Sequence, residues 1–210
     1  MEHLSAAHAR LSLSLFQKIS EGHASVNVFY SPLSISAALS MLSLGAGGNT
    51  ASQMSRTLHF PEAEGEMHAG FTKLLSEINR AGAPYALSLA SRLYGEQSYT
   101  FIEKFISDTR TLYEAELETV DFSNADAARV NINSWVQKQT QEKIQDLLSE
   151  GDVDSLTRLV LVNAIYFKGS WETKFREEDT REQQFNISKN ESKPVQMMFP
   201  KAKYFSIYFI

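Results

Sequence analysis

Five histidines, at positions 3, 8, 23, 59 and 68, offer the most recruitable chemistry in this chain. None stands at HExxH spacing, and no carboxylate pattern beside them completes a metal set. They read as surface or capping residues. Gly45-Ala46-Gly47-Gly48 is rich in glycine but lacks the last glycine of a dinucleotide turn and the Gly-Lys-Ser/Thr of a phosphate loop, so a turn suffices to explain it. Gly151-Asp152-Val153-Asp154-Ser155 sets two carboxylates at calcium-like spacing without the remaining oxygen ligands or the closing glutamate. No Gly-x-Ser-x-Gly elbow presents a serine, and the absence of cysteine removes a thiol nucleophile, a Cys-ligated zinc and a disulfide framework together. These residues assemble no catalytic centre, no metal site and no cofactor site, and the chain reads as something other than an enzyme.

Polar residues inside apolar stretches carry more information. Asn163 interrupts Leu159–Phe167, the most apolar run of the sequence. A buried amide without a partner costs about 1–3 kcal/mol, so Asn163 is either a satisfied core asparagine or a polar latch between strands able to separate. Ser31 precedes Pro32 and is explained as a helix cap, whereas Ser34, one turn later, needs another partner and admits the same two readings. Trp171 follows Lys168-Gly169-Ser170, where a large indole either plugs the end of a sheet or packs in an ordinary core.

The elements that must position these residues are mixed in type. Leu4–Ser20 matches both a strand and a helix period, and its length favours helix. Val26–Tyr30 is a short β-prone run leading into Ser31-Pro32 and a helix to about Leu44. Gly45, Gly47 and Gly48 should stop that helix, and Thr50 with Gln53 forms the capping box of the next. The acidic run Glu62, Glu64, Glu66 reads as a connection before a helix near His68–Asn79. Tyr85–Tyr94 alternates, with Leu87, Leu89, Ser91 and Leu93 on one face and Ser88, Ala90, Arg92 and Tyr94 on the other, and is a strand. A helix around Ile102–Leu112 and a strand around Ala115–Phe122 follow, then a long helix capped by Ser123, with Asp126 in its first turn, running to about Leu148. Leu159–Phe167 is expected to be a strand covered on both faces.

With 43% apolar side chains in 210 residues the chain can bury a sizeable core, and the element order makes it α+β. A net charge of −5 gives no basic surplus for phosphates, so neither nucleic acid nor an anionic membrane is expected as partner. No run approaches the roughly 18 apolar residues of a membrane span. Met1–Arg10 has no basic region leading into an apolar core, so no secretory signal is read, and the sequons at Asn186 and Asn190 carry no weight in that setting.

Two long segments resemble the serpin family of protease inhibitors. Asn27-Val28-Phe29-Tyr30-Ser31-Pro32-Leu33-Ser34-Ile35-Ser36, continuing to Ala46, resembles the family's strand-to-helix-B signature. Leu161-Val162-Asn163-Ala164-Ile165-Tyr166-Phe167-Lys168-Gly169-Ser170-Trp171 resembles the third strand of its central sheet. Between them Ser88–Tyr94 resembles the neighbouring strand and Ile132–Val136 the helix that covers the sheet, in the same order and spacing. The start Met1-Glu2-His3-Leu4-Ser5 looks most like the intracellular, ovalbumin-like branch.

The resemblance implies a serpin fold, helices packed around a large central β-sheet, as one truncated domain over residues 1–210 that is incomplete at its carboxyl end. It implies that Ser31, Ser34 and Asn163 lie in the shutter region governing sheet opening and that Trp171 is the breach tryptophan. It further implies a suicide-substrate inhibitor of serine or cysteine endopeptidases: a cleaved bait loop enters the sheet as a new strand and traps the acylated protease. The family's bait loop falls near the carboxyl end, so no reactive centre can be assigned in this chain, and the alternative is a non-inhibitory fragment or binding module. Tyr204–Ile210 is strand-like in composition but drifts from the family pattern. The branch implies a cytoplasmic location, with release to the extracellular space, and an unpaired sheet edge implies self-association.

Overall fold

The computed structural model describes residues 2–22, 26–60, 64–80, 82 and 85–199. The expectations for Glu62 and for Tyr204–Ile210 lie outside the described residues. The chain divides into two compact units, one ending at Lys168 and one beginning at Gly169.

The first unit is built on strand β1 (Ala86–Glu96), which pairs in parallel with β2 (Glu116–Val120) and antiparallel with β3 (Leu159–Lys168), giving the order β2-β1-β3. Its alternation follows the sequence. Leu89 and Leu93 enter a core with Met41, Met67, Phe71 and Leu75, whereas Tyr94, one residue out of phase, joins Phe122, Ile132, Val136 and Val162. The first face is covered by helices α1 (Glu2–Ser20), α2 (Pro32–Ser43), α4 (Glu64–Ile78) and α5 (Glu103–Tyr113), and the second by α6 (Ala125–Gln139). Each fully buried side chain of this size contributes roughly 1.5–3 kcal/mol relative to exposure, so a strand packed on both faces anchors the unit.

Local sequence explains most boundaries. Ser31 is extended, and its hydroxyl accepts from Ser34 N at 3.3 Å, with Pro32 as the first helical residue of α2. Small residues let α2 sink deep, and Ser40 satisfies its own hydroxyl by donating to Ser36 O at 2.6 Å.

Five expectations are corrected. Val26–Tyr30 joins no ladder of the described sheets. Helix α3 (Gly48–Thr57) begins before Thr50, with extended Gly47 as its cap residue and no side-chain capping bond, so the Thr50–Gln53 box is not used. The cap of α6 is Asn124, whose side chain accepts from Ala127 N, because Phe122–Asn124 forms a 3₁₀ turn that absorbs Ser123. That helix stops at Gln139, well before Leu148. Thr140 folds back, donating to Val136 O at 2.8 Å and accepting from Ile144 N at 3.1 Å, while Gln141 and Glu142 adopt positive φ. Finally, β3 is covered on both faces only over its first half, since Ile165 and Phe167 are exposed.

The second unit is a hairpin of β4 (Arg181–Ser188) and β5 (Glu191–Met197), with the Arg181 guanidinium 4.3 Å over the Phe199 ring.

Gly95 marks the closest approach in the sheet: a Cβ placed there would stand 2.5 Å from the Phe101 ring and 3.2 Å from Leu117. Gly95→Ala is expected to destabilise the chain by about 1–3 kcal/mol, as overpacking does. A lower urea midpoint, restored in part by Phe101→Leu, checks this, and an unchanged midpoint contradicts it.

Candidate functional site

Asn163 lies opposite Ser91 in the β1–β3 ladder, and its amide donates to Ser91 Oγ at 2.9 Å. Directly opposed residues share a face, and Asn163 shares parity with Leu159 and Leu161, which pack in the first core. The amide therefore lies on the helix-covered face, and α2, which carries buried Ser34, packs against β3. The described bonds form two pairs: Ser31 with the Ser34 backbone, and Asn163 with Ser91. Asn163 thus has a partner, Ser91, that sequence reasoning did not name. Its signal was the register alone, a hydroxyl at an inward position of an otherwise leucine-rich face. Trp171, in the second unit, is 75% exposed, so it is not an ordinary core residue.

Two further asparagines act on backbone. Asn79, just after α4, donates to Leu89 O and accepts from Leu89 N, both at 3.3 Å, on the edge of β1 that β2 leaves unpaired at that point. Asn133 on α6 makes the same two-point contact with Leu148, at 2.9 Å each. Each amide supplies the donor and acceptor of a strand neighbour without a strand.

The other end of β1 is held by a charge. Glu96, buried at 5% exposure, accepts from Phe122 N at 2.8 Å and from Ser98 N and Oγ at 3.2 and 3.0 Å. Those backbone donors, Phe122 first, hold its carboxyl below the usual range against the opposing effect of burial, with Arg158 helping. On the α6 face Arg92 bonds Glu118 at 2.8 Å and lies 5.3 Å over the Trp135 ring. Burial pushes the neighbouring Tyr94 hydroxyl up to about 12, with Arg92 opposing. Tyr113, which shares a 2.6 Å bond with His68 Nδ1, is likewise raised by burial.

The acidic loop is accounted for without a ligand: Asp152 accepts from Ser149 N and Asp154 from Leu156 N. Among the described residues no cluster of three His, Cys, Asp or Glu could hold a metal ion, and no helix is long and apolar enough to cross a membrane.

The arrangement is a mixed sheet with an asparagine–serine pair across its β1–β3 ladder and a serine-capped helix packed on it, and comparison with known proteins shows its family. Residues 6–209 match the family model described as Serpin (serine protease inhibitor). The chain belongs to the serpin family. Its resemblance is to ovalbumin-like members. It is 52% identical over 205 residues to a leukocyte elastase inhibitor of Bos taurus and 51% identical over 205 residues to one of Xenopus tropicalis, covering 97% of this chain and 54% of each relative. Among solved structures, emu ovalbumin matches with TM-score 0.88 at 43% identity, over 93% of this chain and 54% of that one. Cleaved kallistatin complexed with heparin matches at 0.85 and 36%, over 91% and 57%. The chain thus spans about half the length of the relatives it matches, and what it holds is the amino-terminal portion of the serpin fold.

Two outcomes are expected. Asn163→Ala leaves Ser91 without its donor and should cost about 1–2 kcal/mol, with Ser91→Ala adding little to it. A double-mutant cycle in urea measures the coupling, and fully additive losses would contradict the pairing. Glu96 is held below its unfolded pKa, so its stabilisation is complete above the ordinary carboxylate value and is lost as pH falls through the lower, folded value. Glu96→Gln should therefore flatten the acid limb of a stability-against-pH profile, and an unaltered limb would contradict the assignment.

Proposed function

We propose that the protein carrying this chain inhibits serine endopeptidases, with cysteine endopeptidases as the second class, by suicide-substrate trapping with loop insertion into the central sheet, and that it turns over no substrate. The observation supporting this is the resemblance over 205 residues to proteins named leukocyte elastase inhibitor. In this reading Ser31, Ser34 and Asn163 act as the shutter. Ser91 is the hydroxyl that Asn163 must release or retain as β1 and β3 respond to an arriving strand. Trp171 is assigned to the breach, where its exposure leaves the indole free to meet an incoming segment. The outer edge of β3 pairs with no strand in the described sheet, which suits it to accept one and exposes it to self-association. In this reading the bait loop that the family places near its carboxyl end lies outside the matched half, and these 210 residues alone are not inhibitory. We place the protein in the cytoplasm, with release to the extracellular space.

The test is incubation with an elastase-like and a trypsin-like protease followed by a denaturing gel. A covalent serpin–protease band is expected from a chain continued through the bait loop, and none from residues 1–210. A non-inhibitory module is the reading left standing if the continued chain is cleaved or ignored without forming that band.

A further inference from the structure

Most asparagines of this chain are committed to holding it together. The side chains of Asn79, Asn131, Asn133 and Asn163 each donate a hydrogen bond, and that of Asn124 caps α6. Asn186 and Asn190 differ. Neither side-chain amide takes a hydrogen bond among the described residues, and both residues are exposed, as is all of β4. They are also the first residues of the sequons Asn186-Ile187-Ser188 and Asn190-Glu191-Ser192, neither of which has proline in its middle position.

The two sequons meet at the closed end of the hairpin. Lys189 and Asn190 form the turn between Ser188 and Glu191, which face each other in the ladder, and Asn186 stands opposite Ser192. The Asn190 backbone N donates to Ser188 Oγ at 3.4 Å, which leaves its side chain uninvolved in closing the turn. Alternation along β4 sets Asn186 out of phase with Phe185, so a group attached to it leaves the Phe185 face clear. A bulky, hydrophilic modification persists on a folded chain only where it displaces neither packing nor hydrogen bonds, and both positions meet that condition.

We infer that the closed end of this hairpin is an N-glycosylation site: Asn186 and Asn190 are the acceptors in copies of the protein that pass through the secretory lumen, and cytoplasmic copies stay unmodified there. The co-reactant is a lipid-linked oligosaccharide. The asparagine Nδ2 bonds to the first sugar carbon and gives up a proton, the bond from that carbon to phosphate breaks, and the lipid diphosphate leaves. The inference rests on the release to the extracellular space proposed above and is independent of protease trapping.

The test is expression of the full-length protein carrying this chain in mammalian cells, once as it is and once behind a cleavable secretory leader. Secreted protein is digested with peptide N-glycosidase in heavy-oxygen water, which leaves a labelled aspartate wherever a glycan stood, and residues 181–197 are mapped by mass. Label at Asn190, Asn186 or both is expected in the leader-directed protein, with a gel band that falls on digestion by the mass of the glycan removed. Asn186→Gln with Asn190→Gln should abolish the label and the corresponding part of the gel shift without reducing the amount secreted, since neither side chain holds the fold. Both asparagines unmodified in leader-directed protein, or a gel shift unchanged by the double substitution, would overturn the site. The leader-free protein tests the route separately. Label in its secreted fraction and none in its cytosolic fraction is expected, and unlabelled protein in the medium would overturn passage through the secretory lumen. Absence of leader-free protein from the medium would sink the release reading instead, and the acceptor site would still be decided by the leader-directed arm.

Discussion

The structure depends on the second half of β1, Arg92–Glu96, being paired on both edges and covered on both faces. A strand in that position has no solvent to satisfy its polar groups, so each must find a partner within the protein. The consequences run outward from it. Leu89 and Leu93 recruit the helices of one layer, and Tyr94 recruits α6 on the other. Arg92 lies on the α6 face only because Glu118 and the Trp135 ring receive it. Gly95 has no side chain because Phe101 occupies the space one would need.

The two ends of the β1–β3 ladder are held differently. At Gly95–Leu159 the sheet is buried and locked by Glu96, whose carboxylate takes three hydrogen bonds from the segments that follow β1 and β2. Hydrogen bonds to a charge are worth roughly twice neutral ones and are not exchanged cheaply for water. At Ala86–Lys168 the ladder runs out among exposed residues, Phe167 among them. Between these ends the fastenings are neutral amides, Asn163 on Ser91 and Asn79 on Leu89. Each contributes on the order of 1 kcal/mol net. The sheet is therefore graded from a charged anchor to an exposed end, with neutral hydrogen bonds between.

How much of this could be read in the sequence varied with the kind of interaction. Tyr85–Tyr94 showed its strand and both faces because alternation is a local pattern that burial only confirms. Ser31-Pro32 showed its helix start because the cap and the proline act within one turn. Ser123 misled because two capping residues compete within a few positions and the 3₁₀ turn from Phe122 decides for Asn124. The end of α6 was hidden because Thr140 ends it with bonds of its own, which no glycine or proline announces. Asn163 could be flagged as needing a partner, but Ser91, 72 residues away in sequence, is fixed only by register. Glu96 gave no signal, since a lone acid after a strand is ordinarily a solvated end.

The edge of β3 that no strand among the described residues covers raises a problem of selectivity. Backbone donors and acceptors along an edge do not distinguish one strand from another, so an edge receptive to a segment of its own protein is receptive to any extended chain. Side chains must supply the discrimination. On β3 they differ along its length: Leu159, Leu161 and Val162 are already committed to the two cores, whereas Ile165 and Phe167 are not. A strand approaching the committed half meets packed side chains and gains main-chain bonds only. One approaching the exposed half gains apolar burial as well, about 25 cal/mol for each Å² removed from water. Apolar burial is thus on offer at the exposed end of β3 and not at the end committed to the cores. A polar residue in the most apolar strand of the chain costs packing, and at this position its hydrogen bond to Ser91 offsets part of that cost.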